Sequence, residues 1–442
     1  MKNVRIITIL KKIYPYNGFI IKMQNKIILE NGATLLINSI SHSNTVSIGF
    51  WVNVGSRDED NGQHGYSHFI EHMLFKGTKN RSYLDIAVEV DELGGEINGA
   101  TAKEFTYYYV NVAKNYFTTA FEILADMYFN PSFNEKEFKK EKDVILDELD
   151  SANDDPEEFI NDFFCTTLWG ENSFGYPVIG TRDDIKSSSL KGLIEYYLLH
   201  YNSKNLIISV SGGLNEKEIT PFVNQVMTNI EKRRSSEKIR ERPKAIFRNK
   251  FQDRKIEQVY FITGRDAYSY RDSERYPMIL LNSMIGGSFS SVLFQEVRER
   301  RGLCYSISSS YLSYSDIGEF SIGFTTSKKN LLAVLELINK LIKKIKKGLI
   351  KKEDLERAKK KFYGNYMLAS ESNEWLMSRL AINEMVFGKI IPFDWVMEEI
   401  RKVSLDDIYF IIDNIFKEKE LAISAIGPEE IRNEIESFNF NF

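Results

Sequence analysis

Two kinds of hydrophobic repeat alternate along the first half of the chain. Residues 24–38 alternate apolar and polar side chains around Asn31-Gly32, which predicts a β-hairpin with a tight turn. Runs rich in β-branched and aromatic residues predict further strands at 45–54, 106–112 and 206–211. Apolar side chains that recur every three or four residues predict helices at 66–75, 117–128 and 135–151.

The pattern restarts after a highly charged stretch, 231–250, which we interpret as a linker between two halves. The similar order of elements on its two sides favours a duplicated fold, although residue identity between the halves is too weak to prove it. We expect an α+β protein with two domains, 24–230 and 251–442, in which helices cover one face of a largely antiparallel sheet. The pattern of residues 1–23 indicates no role. Second-half strands are predicted at 257–263, 305–312, 319–326 and 421–426, and helices at 275–285 and 331–347.

Composition narrows the class of protein. The 442 residues carry a net charge of −4 from 58 basic and 62 acidic side chains, which argues against a general nucleic-acid binder. Two cysteines, Cys165 and Cys304, are too few for a disulfide scaffold and suit a reducing compartment. No run approaches the roughly 18 apolar residues of a membrane span, and the apolar stretch at 6–10 is too short for a signal peptide. These features predict a soluble cytoplasmic protein, with an organellar matrix as the alternative.

Two of the five histidines form a metal-binding pattern. His68 and His72 are four residues apart, so on a helix they share one face and can bind one Zn²⁺. Glu71 lies between them, where it is better placed to polarise a zinc-bound water than to be a third ligand. A third ligand should then come from another element. Glu141 and Glu148 are both candidates, because their spacing of seven puts them on one helix face; the alternative is a merely solvated acidic face.

The motif and three segments around it resemble one family. His-x-x-Glu-His at 68–72, followed by EKDVILDE at 141–148, resembles the inverted-motif zinc peptidases, the superfamily of pitrilysin, insulin-degrading enzyme and the mitochondrial processing peptidase. The segments HFIEHMLFKGT, LGGEINGAT and GGSFSSVLFQEVRERRGLCY resemble its short-chain branch, which includes the processing peptidase and its bacterial relatives. These segments lie in both halves, so the resemblance covers most of the chain.

The resemblance implies a role for each matching residue of the zinc motif. His68, His72 and Glu148 would bind one zinc ion per chain, and Glu71 would be the general base. Glu141 would be a carboxylate that orients a ligand histidine.

A second implied site lies along a strand edge. Asn98 would bind the substrate backbone there, and Gly99, Ala100 and Thr101 would pair with the peptide by β-augmentation. The alternative for Asn98 is a turn residue after Gly94-Gly95.

In the second half, Arg298 and Tyr305 match an Arg–Tyr pair that in the family contacts the substrate and the developing oxyanion. The alternative is that Arg298 is one of several surface arginines and Tyr305 a strand-core residue. Gly286-Gly287 resembles the family's glycine-rich loop, which is linked to substrate handling. A helix C-cap explains the same two glycines equally well.

The resemblance further implies a fold, an activity and an assembly. Each half would contain a six-stranded, mainly antiparallel sheet with helices on one face. The chain would be a zinc-dependent endopeptidase that cleaves peptides or unfolded segments. Short-branch members usually pair, so a homodimer, or a heterodimer with a related chain, is expected. Two alternatives remain: a non-catalytic partner or scaffold subunit, and a metal-binding protein without hydrolytic activity.

Overall fold

The computed structural model describes residues 24–228, 240–417 and 420–442. The N-terminal segment 1–23 and most of the predicted linker lie outside these residues. The described end of the linker is bound to the first half, because the Arg240 guanidinium donates two 2.8 Å hydrogen bonds to the Asp58 carboxylate. A strand begins at Asn249, so it includes the last two residues of the predicted linker.

The first half is built on a six-stranded sheet. The strands lie in the order β1-β2-β6-β3-β5-β4, and only the neighbours β2 and β6 are parallel. Gly32, with φ of +93°, sits in the turn that joins the first two strands, which confirms the predicted hairpin. The strands are β1 (Gln24–Ile28), β2 (Thr34–Ser39), β3 (Thr45–Val52), β4 (Glu96–Thr101), β5 (Thr106–Ala113) and β6 (Leu206–Gly212).

Helices of the same half cover one face of this sheet and enclose its core. Phe50 of β3 packs edge-on against Phe121 and Tyr128, and all three side chains are fully buried. Such aromatic pairs add to the free energy of burial. The helices are α1 (Tyr66–Leu74), α2 (Tyr83–Glu92), α3 (Phe117–Phe129), α4 (Glu135–Asp154), α5 (Pro156–Trp169), α6 (Arg182–Ser187), α7 (Leu190–His200) and α8 (Glu216–Thr228).

The second half repeats this plan with a smaller sheet. Within the described residues it has five strands, in the order β7-β11-β8-β10-β9, so the expected six strands are wrong for this half. Only β7 and β11 are parallel neighbours, and the two-halved, mainly antiparallel α+β fold is confirmed. The strands are β7 (Asn249–Asp253), β8 (Gln258–Ala267), β9 (Ser306–Ser313), β10 (Gly318–Ser327) and β11 (Ala422–Gly427).

The second-half helices lie mainly over one face of this sheet. A short π-helical segment, Phe294–Glu299, precedes β9. The α-helices are α9 (Arg275–Ile285), α10 (Leu331–Lys346), α11 (Lys352–Ala369), α12 (Asn373–Phe387), α13 (Phe393–Lys402), α14 (Leu405–Ile415) and α15 (Arg432–Ser437).

The two halves exchange one helix each. Helix α12 of the second half lies on the outer face of the first sheet, where Trp51 and Ile207 pack with Met377. Gly49 permits this close approach, since a Cβ there would lie 2.7 Å from the Met377 sulfur. Helix α5 of the first half covers the outer face of the second sheet, beside β8 and β11. The expectation of helices on only one face is therefore wrong for both sheets, because each has apolar side chains on both faces.

None of the described helices has the length and apolar content needed to cross a bilayer.

Candidate metal centre

Helix α1 holds the two motif histidines side by side. It begins after Gly65, whose φ of +97° turns the chain into the helix. One face of the helix is buried in the first core, and the other carries the motif. The His68 and His72 rings are 4.6 Å apart between centroids, as expected for residues one turn apart.

Helix α4 brings Glu148 to the two histidines. The Glu148 Oε2 atom lies 3.5 Å from His72 Nε2 and 4.0 Å from His68 Nε2. One ligand atom from each of the three residues lies within 4.8 Å of the others, which is the spacing of groups that can share a metal ion. Glu148 has a 44% exposed side chain, so this side of the cluster is open to solvent.

Glu141 lies behind this cluster and is not part of it. Its side chain is 2% exposed, and its Oε2 lies 3.2 Å from His72 Nδ1. Lys76, one turn after His72, places its Nζ 2.8 Å from the other Glu141 oxygen. Glu141 thus orients the His72 ring through the nitrogen that faces away from Glu148, a usual second contact of a metal-binding histidine.

The neutral state of the His68 ring favours a bound cation. Burial, with a smaller contribution from the neighbouring His72, lowers the pKa of His68 to about 4. The ring is therefore neutral near pH 7 and offers a lone pair, as a metal ligand must. Its Nδ1 is buried and has no hydrogen-bond partner among the described residues. Two imidazoles and one carboxylate also form a donor set that Zn²⁺ prefers, so these residues fit the ion.

Glu71 is on the same helix face and is held by β4. Its Oε2 accepts a 2.5 Å hydrogen bond from the Thr101 hydroxyl. Burial raises the pKa of Glu71, while the Thr101 hydrogen bond acts in the opposite direction. The carboxylate therefore binds a proton more readily than an exposed glutamate does.

Strand β4 is an edge strand, since it pairs only with β5 in the described sheet. Asn98 lies within it, so the alternative of a turn residue is wrong; its Oδ1 accepts the N–H of Gly99 at 2.8 Å. Gly99 sits close to other groups, since a Cβ there would be 3.1 Å from the Phe75 ring. Ala100 and Thr101 complete the strand beside the histidine helix.

Arg298 and Tyr305 contact each other in the second half. Arg298 Nε donates a 2.9 Å hydrogen bond to the Tyr305 backbone carbonyl, just before β9. The Tyr305 side chain is 63% exposed, which excludes the strand-core alternative within one chain. Among the described residues, neither side chain makes a hydrogen bond or ion pair with the motif. Gly286 caps α9, as its N–H donates to the Asn282 carbonyl at 3.1 Å.

Two residues that support the metal site were not predicted from the sequence. Glu59 accepts the backbone N–H groups of Gly65 and Ser67 at 2.8 and 2.7 Å, and so holds the start of α1. Lys76 pairs with Glu141 as described above. The four-residue spacing of Lys76 from His72 could have indicated that both side chains contact Glu141. No local sequence pattern indicates that Glu59 is buried.

Both halves of the chain match models of one peptidase family. The model of insulinase, peptidase family M16, matches residues 34–182, and that of the peptidase M16 inactive domain matches residues 188–362. The uncharacterized zinc protease YmxG of Bacillus subtilis (strain 168) is 33% identical over 405 residues, which cover 90% of this chain and 97% of the relative. An uncharacterized zinc protease of Rickettsia felis is 34% identical over 408 residues, which cover 91% and 97% of the two chains.

Solved structures share the fold. A protease from Helicobacter pylori superposes with a TM-score of 0.85 at 20% identity, and the superposition covers 92% of this chain and 100% of the protease. A putative M16-like peptidase from Alicyclobacillus acidocaldarius gives 0.81 at 18% identity, covering 92% and 98%. The motif lies within the segment matched by the insulinase model, and the relatives match almost end to end. This chain therefore belongs to peptidase family M16, in the pitrilysin superfamily of metallopeptidases.

Proposed function

We propose that the chain is a zinc-dependent endopeptidase that cleaves peptides or unfolded segments. The observation that carries this proposal is the convergence of His68, His72 and Glu148 within 4.8 Å, with Glu71 on the same helix face. All four residues are present, which argues against a scaffold subunit that has lost its motif. The relatives named as zinc proteases support the same chemistry.

His68, His72 and Glu148 would hold one zinc ion. A zinc ion so bound would polarise the scissile carbonyl and lower the pKa of a water molecule toward neutrality. Glu71 takes the proton of the attacking water and returns it to the leaving amine. The Thr101 hydroxyl holds Glu71 in position for both transfers, and Glu141 fixes the orientation of the His72 ring.

The substrate would bind as an added strand along β4. The free edge of β4 offers backbone groups to an extended peptide, and Thr101 at its end contacts Glu71. Asn98, Gly99 and Ala100 would then pair with residues next to the scissile bond. An edge strand accepts only extended chains, which supports peptides or unfolded segments as substrates rather than folded proteins.

Arg298 and Tyr305 would act from a second copy of the chain. Both side chains are accessible, yet they make no bond to the motif of their own chain in the described structure. A homodimer with two-fold symmetry would let each chain supply this pair to the other, with the Tyr305 hydroxyl donating to the oxyanion. A heterodimer with a related chain is the alternative.

The proposal is tested by replacing Glu71 with Gln. The variant keeps the shape of the side chain but removes the base, so hydrolysis of a quenched fluorescent peptide should be almost abolished. Zinc content, measured by native mass spectrometry, should stay at one ion per chain because Glu71 is not a ligand. Glu122→Gln, an exposed carboxylate on α3, is the matched control and should cleave at the wild-type rate.

Two results would contradict the assignment of Glu71: loss of zinc in Glu71→Gln, or cleavage at the wild-type rate. A wild-type protein that binds zinc but cleaves no peptide would instead favour a metal-binding protein or a scaffold subunit.

A further inference from the structure

A cavity of about 290 Å³ lies in the second half, between α9, α10 and α11. The loop that follows α9 and the first turn of the π-helical segment form its remaining wall. All of its lining residues belong to the second half, so the cavity is separate from the zinc motif. At roughly 30 Å³ for each water molecule, a cavity of this size holds a ligand of about ten non-hydrogen atoms.

One part of the lining is apolar and would cover a hydrophobic group. Four of its apolar side chains are at most 7% exposed: Met284, Leu341, Ile350 and Ala358. Water beside such side chains makes few hydrogen bonds, so an apolar group that replaces it is favoured. The cavity therefore suits a ligand with an apolar body.

The polar part of the lining has more cationic than anionic side chains. The cations are Arg300, Lys344, Arg357 and Lys361, and the anions are Glu296 and Asp354. Both carboxylates are already paired with arginines. Glu296 accepts hydrogen bonds from Arg300 and Arg301, and Asp354 accepts one from Arg357. The two lysines are therefore left without a carboxylate of their own.

Both lysines keep donors that a ligand could use. Lys344 makes no hydrogen bond or ion pair with the described residues, although its charge adds to the Arg301 hydrogen bond in lowering the pKa of Glu296. Lys361 Nζ donates to the Gly287 backbone carbonyl at 2.9 Å, and burial lowers the pKa of this ammonium group. Because an ammonium group has three donor hydrogens, an anion could be bound by both side chains.

A buried hydroxyl at the cavity wall also lacks a partner. Ser291 is 1% exposed, and its Oγ has no hydrogen-bond partner among the described residues. The neighbouring Ser288 differs, since its hydroxyl donates to the Ser283 backbone carbonyl at 3.0 Å. A buried hydroxyl without a partner is costly, so the state of Ser291 indicates a group that the protein itself does not supply.

We infer that this cavity binds a small organic anion, a carboxylate or phosphate carried on an apolar body such as a phenyl group. Lys344 and Lys361 bind the anionic group, the Ser291 hydroxyl donates to it, and the apolar wall packs against the body. The ligand lies against the π-helical segment that also carries Arg298. The inference does not depend on the proposed function, because no residue of the zinc motif contributes to this site.

The test measures binding of matched small molecules to the full chain by isothermal titration calorimetry. The anions are 3-phenylpropionate and phenyl phosphate, and the controls are 3-phenylpropanol, 3-phenylpropylamine and inorganic phosphate. We expect at least one of the two aryl anions to bind about tenfold or more tighter than the alcohol, the amine and inorganic phosphate, and to weaken with salt. The tighter of the two identifies the anionic group. An alcohol that binds as tightly as both anions, or no binding of either anion, would overturn the inference.

Variants locate the binding in the cavity. Lys344→Gln should weaken anion binding by about threefold or more, and Lys344→Gln/Lys361→Gln by about tenfold or more, while the affinity for the alcohol stays the same. Lys352→Gln removes an exposed lysine of α11 that does not line the cavity, and it should keep the wild-type affinity. An equal loss in Lys352→Gln and in Lys344→Gln would show general attraction to a basic surface and contradict the site.

Ser291→Ala tests the unpartnered hydroxyl. Anion affinity should fall by about threefold to tenfold, whereas the urea midpoint of the ligand-free protein should stay the same or rise, because no hydrogen bond within the protein is lost. Ser283→Ala, which leaves its backbone carbonyl in place, is the matched control and should keep most of the affinity. Unchanged affinity together with a lower midpoint in Ser291→Ala would contradict the role of this hydroxyl.

A variant of the metal centre separates this inference from the proposed function. Carboxylates and phosphates also bind zinc, so anion affinity is measured with Glu148→Gln as well. Wild-type affinity in this variant supports a site in the second half, even if the protein cleaves no peptide and the proposed function fails. Loss of anion binding in Glu148→Gln, with retention in Lys344→Gln/Lys361→Gln, would place the anion at the metal centre and overturn the inference.

Discussion

At the scale of single residues, two glutamates of α4 occupy different environments although they lie on one helix face. Glu148 is exposed at the open side of the cluster, within 4.0 Å of both histidine Nε2 atoms. Glu141 is buried, and its carboxylate lies between His72 Nδ1 and Lys76. Because of this difference in environment, we propose Glu148 as a zinc ligand and Glu141 as a residue that orients a ligand.

We expect Glu148→Gln to lower zinc affinity more strongly than Glu141→Gln. The first change removes a proposed ligand, whereas the second removes an orienting contact, whose loss typically weakens metal binding by roughly 10–100-fold. Competition with a fluorescent chelator measures both constants. Asp143→Asn, an exposed change on the same helix, is the control. Full zinc retention in Glu148→Gln would refute its assignment as a ligand.

At the scale of elements, the start of α1 depends on a buried carboxylate from the preceding loop. Glu59 is 4% exposed and accepts the Gly65 and Ser67 N–H groups, which have no partner within the helix. Burial raises the pKa of Glu59 from its ordinary 4.5 to about 8, although these backbone hydrogen bonds act in the opposite direction. Between pH 4.5 and about pH 8, folding therefore favours the protonated form of Glu59.

The sign of the resulting pH dependence follows from linkage. A group whose pKa is raised by folding stabilises the protein fully below its unfolded pKa, and this contribution is lost as the pH rises toward 8. We expect the free energy of unfolding of wild type, relative to Glu59→Gln, to fall between pH 5 and 8, by at most about 1.4 kcal/mol per pH unit. Urea denaturation at several pH values measures it. A relative stability that rises with pH would show that the folded carboxylate is charged.

At the scale of the whole molecule, a buried ionic network joins the halves beside β4. The Arg57 guanidinium, 3% exposed, donates to both Asp316 oxygens at 2.7 and 2.8 Å and to Glu104 at 2.5 Å. Glu104 also accepts the backbone N–H of Ser315 at 2.8 Å. Residues of the first half thus bind the β9–β10 turn of the second half.

Removing Arg57 should loosen this junction. Arg57→Met leaves the carboxylates of Glu104 and Asp316 without one of their cationic partners, and breaking such a buried pair typically costs about 3–5 kcal/mol. Urea denaturation should show the loss, and proteolysis between the halves should become faster. Arg432→Met removes an exposed pair with Glu429 and should leave the urea midpoint nearly unchanged. Equal midpoints for both variants would argue against a stabilising network.

Mixing of subunits tests whether the Arg–Tyr pair acts between chains. Homodimers of Glu71→Gln and of Tyr305→Phe should each be weak or inactive. A mixed dimer combines one intact zinc site with one intact pair, so co-expression should restore up to about half of the wild-type activity per mixed dimer. Differently tagged subunits and tandem purification isolate that species for the peptide assay. No recovery in verified mixed dimers would place the pair within its own chain or outside the reaction.

The sequence by itself determined the local elements and the spacing of the zinc motif. The hairpin around Gly32, helix α1 and helix α4 follow from hydrophobic period and turn residues, which act over a few positions. The four-residue spacing of His68 and His72 also fixes their common face, because helix geometry is local. The resemblance to the zinc peptidases then singled out Glu148, which spacing alone could not distinguish from Glu141.

Only the tertiary structure decided which distant segments meet. The exchange of α5 and α12 between the halves depends on contacts hundreds of residues apart, and a periodic pattern says which face is apolar but not what covers it. Burial of Glu59 and contact of Thr101 with Glu71 likewise arise from strand register and packing. A side chain's exposure and charge state depend on everything that surrounds it in space, and one-dimensional order does not contain that information.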